Sequence, residues 1–162
     1  MAQLVTSLIL LEIRGNKMYS VKSYDVGKEG ASLISNNFKV KEFASKDGFN
    51  VAFISDELVN IVQNIRDHFG RPLVINSGFR SQAHNKKVKG AKNSMHLYGT
   101  AADIHISGVQ PIEIAKYAET LFKKLGINGG IGLYQSFVHV DVRKVKYRWD
   151  SRTGKEVKVS GF

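Results

Sequence analysis

A histidine and an aspartate stand seven residues apart in the segment Ser94-Met95-His96-Leu97-Tyr98-Gly99-Thr100-Ala101-Ala102-Asp103. A neutral imidazole nitrogen and a carboxylate oxygen are both accepted by divalent zinc, and a firmly held ion needs at least one more protein ligand. The best supplier is Phe137-Val138-His139-Val140-Asp141-Val142, where apolar and polar residues alternate as in a half-buried strand. Alternate side chains of a strand point to opposite faces, so Phe137, His139, Asp141 and Arg143 share one face and the three valines the other. The same period sets Asp103 opposite Ala102, Ile104 and Ile106, with His96 arriving from the loop before that strand. Metal ligands His96, Asp103 and His139 would leave one tetrahedral position open, the pattern of a catalytic zinc.

The elements around these residues follow from local signals. Ser55 to Phe69 reads as a helix: Ser55 is an N-cap, Asp56 and Glu57 suit the positive end of the dipole, and Leu58, Val62, Ile65 and Phe69 recur at helical spacing. Gly70 and Pro72 stop it. His68 is expected only to meet the dipole at its end. Pro111 to Leu125 is the second helix, with Pro at its first position, Ala115, Ala118, Phe122 and Leu125 on one face, and Gly126 as C-cap. Leu73 to Ile75 is a short apolar strand delivering Asn76, Ser77, Gly78, Phe79 and Arg80. Arg80 either aims a bidentate fork at a carboxylate or an oxyanion, or is a surface arginine paired to a neighbour. Gln82 to Asn93 reads as an exposed basic loop forming a rim over the site, with His84 as plain surface. His105, two residues after Asp103, is read as a spectator. Asn128 to Tyr134 is glycine-rich, which allows close backbone approach, but it matches no phosphate-binding fingerprint.

The chain has 162 residues, no cysteine, a formal charge of +10 and a pI near 9.8. That length suits one domain with a sizeable core. Absence of Cys excludes a disulfide framework and a thiolate zinc site. The charge implies attraction to polyanions without choosing among nucleic acid, anionic membrane and bacterial wall polymer. The apolar run Leu8 to Leu11 is too short to span a bilayer and lacks a basic flank, so no signal peptide and no transmembrane segment are expected. Residues 1–18 read as a possible upstream extension before Met18, 19–37 as a polar lead-in, 38–150 as the main domain, and 151–162 as a C-terminal tail. From Lys144 to Phe162, with Tyr147, Trp149 and several basic residues, the chain is expected to form a surface arm or a frayed end.

Ser94-x-His96-x-x-Gly99-x-Ala101-x-Asp103, preceded by Ser77-Gly78-Phe79-Arg80-Ser81 and followed by Phe137-Val138-His139-Val140-Asp141, resembles the zinc D-Ala-D-Ala peptidase family. The nearest branch is that with a His-x-Asp pair, whose members include peptidoglycan peptidases and phage endolysins. The likeness runs from about Phe38 to Arg143. It implies an α+β fold of the hedgehog/DD-peptidase type, a small mostly antiparallel sheet packed with two main helices. It also implies zinc-dependent hydrolysis of peptide bonds containing D-amino acids in peptidoglycan, by a carboxypeptidase or an endopeptidase. In that scheme Arg80 contacts substrate and stabilises developing negative charge, and Ser94 lies near enough to touch substrate. Many relatives carry a glutamate three residues before the last ligand; here that position is Ser136. Asp141 is the nearest replacement, acting either as general base or as a support that orients a histidine. Asn37 to Phe43 resembles the family's opening motif, read as a surface edge with two aromatic anchors.

The expected partners are a peptidoglycan peptide as substrate and anionic wall polymer, with no specific nucleic acid, acting as a monomer. For a phage lysin, the location is the host cytoplasm before release to the wall. Two rival readings remain. One is a non-catalytic zinc-containing cell-wall binding module, which would keep metal without hydrolysis. The other is a nucleic-acid binder, whose DNA binding would be salt-sensitive and indifferent to chelator.

Overall fold

The computed structural model describes residues 20–162; the apolar run at Leu8 to Leu11 and the proposed extension at 1–18 lie outside the described residues. Strand β1 (Val21–Asp25) leads into a short helix α1 (Val26–Glu29), followed by another, α2 (Val40–Phe43), and by β2 (Val51–Ser55). The long helix α3 (Asp56–Phe69) precedes β3 (Leu73–Ser77) and the short α4 (Gln82–Lys87). A 3-10 turn at Met95–Tyr98 introduces β4 (Ala101–Ile106), then come α5 (Pro111–Leu125), β5 (Gly130–Leu133), β6 (Val138–Asp141), β7 (Tyr147–Asp150) and β8 (Val157–Lys158).

Both long helices have the expected boundaries because their ends are chemically marked. Ser55 Oγ accepts from Leu58 N at the start of α3, and Gly70 closes it with a left-handed φ of 59°. Pro111 opens α5 and Gly126 ends it at φ 67°. The basic segment after Arg80 is a correction: Ser81 caps a short helix there, and only the residues after Lys87 form a loop. The aromatic anchors Phe38 and Phe43 are fully buried and packed edge to face, so that segment lies in the core and not at a surface edge.

Two sheets are present among the described residues. One is the antiparallel pair β1–β2; the other has the order β3-β4-β6-β5-β7-β8. Its pairings are antiparallel except β5 with β7, which is parallel. The domain is therefore mixed α/β with five helices, three of them short, and a larger sheet with one parallel step. The face of this sheet carrying Ala102, Ile104, Val138, Val140, Ile131 and Leu133 packs under Ile114, Ala115, Ala118 and Phe122 of α5, all buried. Each large apolar side chain removed from water there contributes about 1.5–3 kcal/mol.

The opposite face is set by register. Ser77, Asp103, His139, Gly132, Trp149 and Lys158 are successive cross-strand partners, forming one row over all six strands. Ala101, Asp141, Gly130 and Tyr147 form the neighbouring row. Directly paired residues point to the same side of a sheet, so this pairing alone collects the functional side chains on one face. The C-terminal residues complete it: β8 pairs with β7 and Phe162 packs against the core, where a frayed end was expected.

Candidate active site

His96 is delivered by the 3-10 turn, whose first backbone donors are satisfied by Ser94 Oγ accepting from His96 N at 3.4 Å. The turn ends at Gly99, whose φ of 68° suits glycine. A Cβ there would meet Phe53 O at 1.9 Å, so β2 packs directly against the site loop. Asp103 and His139 face each other on β4 and β6. Their three ligand atoms converge: His96 Nε2 lies 3.3 Å from His139 Nδ1 and 3.3 Å from Asp103 Oδ1, and His139 Nδ1 lies 2.9 Å from Asp103 Oδ1.

Two of these separations fit a zinc ion, and the third is the hydrogen bond of His139 to Asp103. Bonds of about 2.0–2.1 Å in a tetrahedron set neighbouring donors roughly 3.3–3.4 Å apart. The hydrogen bonds on the far side of each ring make the same point. Gly78 O can only accept, so His96 Nδ1 carries a hydrogen at 2.7 Å and the neutral ring turns a bare Nε2 inward. Asp141 Oδ2 accepts from His139 Nε2 at 2.9 Å, which likewise leaves a bare Nδ1 on neutral His139. Two lone pairs and a carboxylate oxygen thus meet at one buried point, an arrangement that requires a cation or a proton between them.

The titration behaviour agrees. Burial disfavours charge on His96 and lowers its pKa, with Asp103 offsetting part of the effect. Burial also opposes charge on His139, but hydrogen bonds and attraction from Asp103 and Asp141 outweigh it and raise its pKa to about 9. The proton that stands in for a metal therefore resides on His139. Asp103 and Asp141 are held well below the usual carboxylate range: burial pushes each up, and the hydrogen bonds from His139, joined on Asp141 by those from Arg143, win.

Arg80 is neither a surface residue nor idle. Its Nε donates to Ser77 Oγ at 2.8 Å and an Nη to Asp103 Oδ2 at 2.7 Å, so it occupies the aspartate oxygen turned away from His139. The register shift between Ile75 and Ser77 at the end of β3 aims this segment at the site. Asp141 is completely buried. Its oxygens accept from His139, from Gly130 N at 3.0 Å and from the Arg143 guanidinium at 2.6–2.9 Å. His84 and His105 do not join the trio; His105 Nδ1 lies 2.7 Å from Asn76 Oδ1, and the His68 ring stacks on Tyr117.

A cavity of about 540 Å³ opens over the trio. Ser94, Arg80 and the loop residues Lys89, Gly90, Ala91 and Asn93 line one side; Tyr134, Phe137, Arg143, Tyr147, Trp149 and Glu156 line the other. Asp141, Gln135 and Ser136 are not part of the lining. Besides Asp103, Glu156 is the only carboxylate in the wall among the described residues. Trp149, Tyr147 and Glu156 lie where the sequence suggests only a tail; the alternation Tyr147-Arg148-Trp149, as a period of two, is the signal that places both rings on one strand face.

The glycines of β5 make this wall possible. A Cβ on Gly132 would meet the Trp149 indole at 2.2 Å, and one on Gly130 would meet the Asp141 carboxylate at 2.3 Å. Trp149 thereby crosses a strand with no side chain and comes to 5.1 Å from His139, ring centre to ring centre.

Comparison with known families settles the kinship. The family model described as peptidase M15 matches residues 31–141. The chain belongs to the peptidase M15 family. The matched span contains the His-Asp-His trio, Arg80 and Asp141, and ends before Arg143, Trp149 and Glu156. A probable peptidoglycan L,D-endopeptidase MepK of Haemophilus influenzae is 40% identical over 76 residues, covering 43% of this chain and 38% of that protein. A zinc D-Ala-D-Ala carboxypeptidase of Streptomyces albus G is 48% identical over 44 residues, 26% of this chain and 17% of that protein. The peptidoglycan L,D-endopeptidase MepK of Escherichia coli K12 is 32% identical over 84 residues, 48% and 43% of the two chains. The matches thus span less than half the length of these relatives. Among the described residues, no helix is long and apolar enough to cross a membrane.

Proposed function

We propose that this M15 peptidase is a zinc enzyme hydrolysing peptide bonds next to D-amino acids in bacterial peptidoglycan, on a domain of the hedgehog/DD-peptidase type. The observation that carries the reading is the convergence of His96 Nε2, Asp103 Oδ1 and His139 Nδ1 to within 2.9–3.3 Å of one another, close to the roughly 3.3–3.4 Å between corners of a zinc tetrahedron. Zinc, when bound, lowers the pKa of water toward neutrality and polarises a carbonyl as a Lewis acid.

The chain's own residues supply the rest. His96 and His139 are held in ligand-ready tautomers by Gly78 O and Asp141. We assign Asp141 to orienting His139, because a sealed carboxylate with every oxygen engaged is out of reach of a substrate proton. Arg80, steadied by Ser77 and Asp103, presents positive charge at the cavity where negative charge develops on the scissile group. Ser94 shapes the ligand turn and borders the bound peptide. Names of the relatives support both an L,D-endopeptidase and a D-Ala-D-Ala carboxypeptidase activity. The L,D-endopeptidase alternative has the longer matched segments behind it.

Mass spectrometry of purified muropeptides after digestion tests the assignment. Cleavage is expected at a bond flanking a D-residue, abolished by chelation and restored by zinc. Muropeptides left intact by zinc-loaded protein would overturn it and favour a wall-binding module.

A further inference from the structure

The cavity walls differ in their free charge, since Arg143 on the hairpin side is already paired with Asp141. Arg80 and Lys89 border it on the side of β3 and the basic loop, whereas Glu156 stands on the C-terminal hairpin, outside the segment that matches the M15 family. Glu156 lies two residues before Lys158, the cross-strand partner of Trp149, and therefore projects from the same face as Tyr147 and Trp149. Its Oε1 accepts from the Tyr147 hydroxyl at 2.7 Å, which fixes the carboxylate over the aromatic wall. Tyr147 is in turn flanked by the Arg143 guanidinium at 5.2 Å from its ring centre.

Position decides what such a carboxylate can do. Three strand spacings separate β6 from β8, about 14 Å at roughly 4.8 Å each. A general base must come within about 3 Å of its proton, so Glu156 is too remote to serve at the zinc trio. An extended peptide covers roughly 3.3–3.6 Å per residue, and a lysine-type side chain adds about 6 Å. A group one or two residues from the scissile bond, at the end of a long side chain, reaches Glu156.

We propose that Glu156, positioned by Tyr147, is a specificity-determining residue that receives an ammonium group of the peptide substrate remote from the cleaved bond. This rests on the peptidase reading above. The cleft is then polar along its length, with Arg80 and Lys89 toward β3 and, beyond Arg143 with its Asp141 partner, one acceptor for a cation at the far end. A peptide carrying both charges enters it in one direction.

The single tryptophan of the chain, Trp149, lines the cavity and reports its occupancy independently of turnover. Two synthetic stem pentapeptides ending in D-Ala-D-Ala, differing only in lysine or norleucine at the third position, are titrated against zinc-loaded protein by Trp149 fluorescence. The lysine peptide is expected to bind about fivefold more tightly, as for a partly exposed ion pair. In Glu156→Gln that ratio falls to about one, in Glu156→Lys it inverts, and in Tyr147→Phe it is reduced. An unchanged ratio in Glu156→Gln, equal binding of the two peptides by the wild type, or binding of neither overturns the proposal. Hydrolysis is followed in parallel: a Glu156-dependent preference in binding without cleavage of either peptide removes the peptidase reading and keeps the ammonium site.

Discussion

The two walls of the cleft are built on opposite principles. On the zinc side, His96, Asp103, His139 and Asp141 are buried, and each is tied to at least one of the others. On the hairpin side, rings and one exposed carboxylate face the same cavity, with Trp149 packed on His139 and hydrogen-bonded to the Tyr134 hydroxyl at 3.1 Å. Chemistry at a metal demands donors held to within a few tenths of an ångström, which a buried network provides and an exposed one cannot. Selection of a flexible peptide tolerates looser, largely apolar contacts. The difference teaches that the wall inside the family match has the rigidity that chemistry at a metal needs, whereas the hairpin beyond the match has the looser, exposed surface suited to the substrate preference proposed for it.

Breaking the zinc side has the largest effect. His139→Ala removes one of the three proposed ligands, and hydrolysis is expected to fall by about a thousandfold or more, with zinc content by metal analysis falling in step. Asp141→Asn keeps the shape but removes the charge that orients His139. Zinc affinity, read by competition with a chromophoric chelator, should drop about 10–100-fold. Unchanged affinity with activity lost would make Asp141 the general base instead.

The hairpin side breaks more gently. Gly132→Ala sets a methyl where the indole lies, so Trp149 must shift; a loss of about 1–3 kcal/mol in thermal unfolding is expected, with weaker peptide binding. Gly161→Ala, whose nearest heavy atom would be 3.7 Å away, is the control and should stay within about 0.5 kcal/mol.

A change of pH sharpens the contrast as well. In metal-free protein His139 has its pKa raised from 6.5 to about 9, so the stability it contributes is fully present below pH 6.5 and is lost as pH rises through about 9. Melting temperature of chelated protein should fall by roughly 5–10 °C over that interval. Zinc-loaded protein should hold its stability there, because the metal replaces the proton and binds better to deprotonated ligands.

Much of this was legible in the chain. Ser55, Gly70, Pro111 and Gly126 mark the ends of α3 and α5 by chemistry that acts within a turn, and alternation around His139 and Asp103 fixes which side chains share a face. The His96, Asp103 and His139 set could be named because its spacing repeats a family motif. Its convergence could not be read, since it depends on pairing β4 with β6 across 36 residues.

What the sequence by itself determined is therefore the parts: two capped helices, strands with a polar face, and three donors suited to zinc. Tertiary structure alone decided that β7 would lie parallel beside β5, that Gly130 and Gly132 would make room for Asp141 and Trp149, and that Glu156 would return to the cleft. The reason is physical. Caps and periodicity are satisfied by neighbours in the chain, whereas strand order is chosen by the burial of a whole sheet face at once, a sum to which no short segment holds the key.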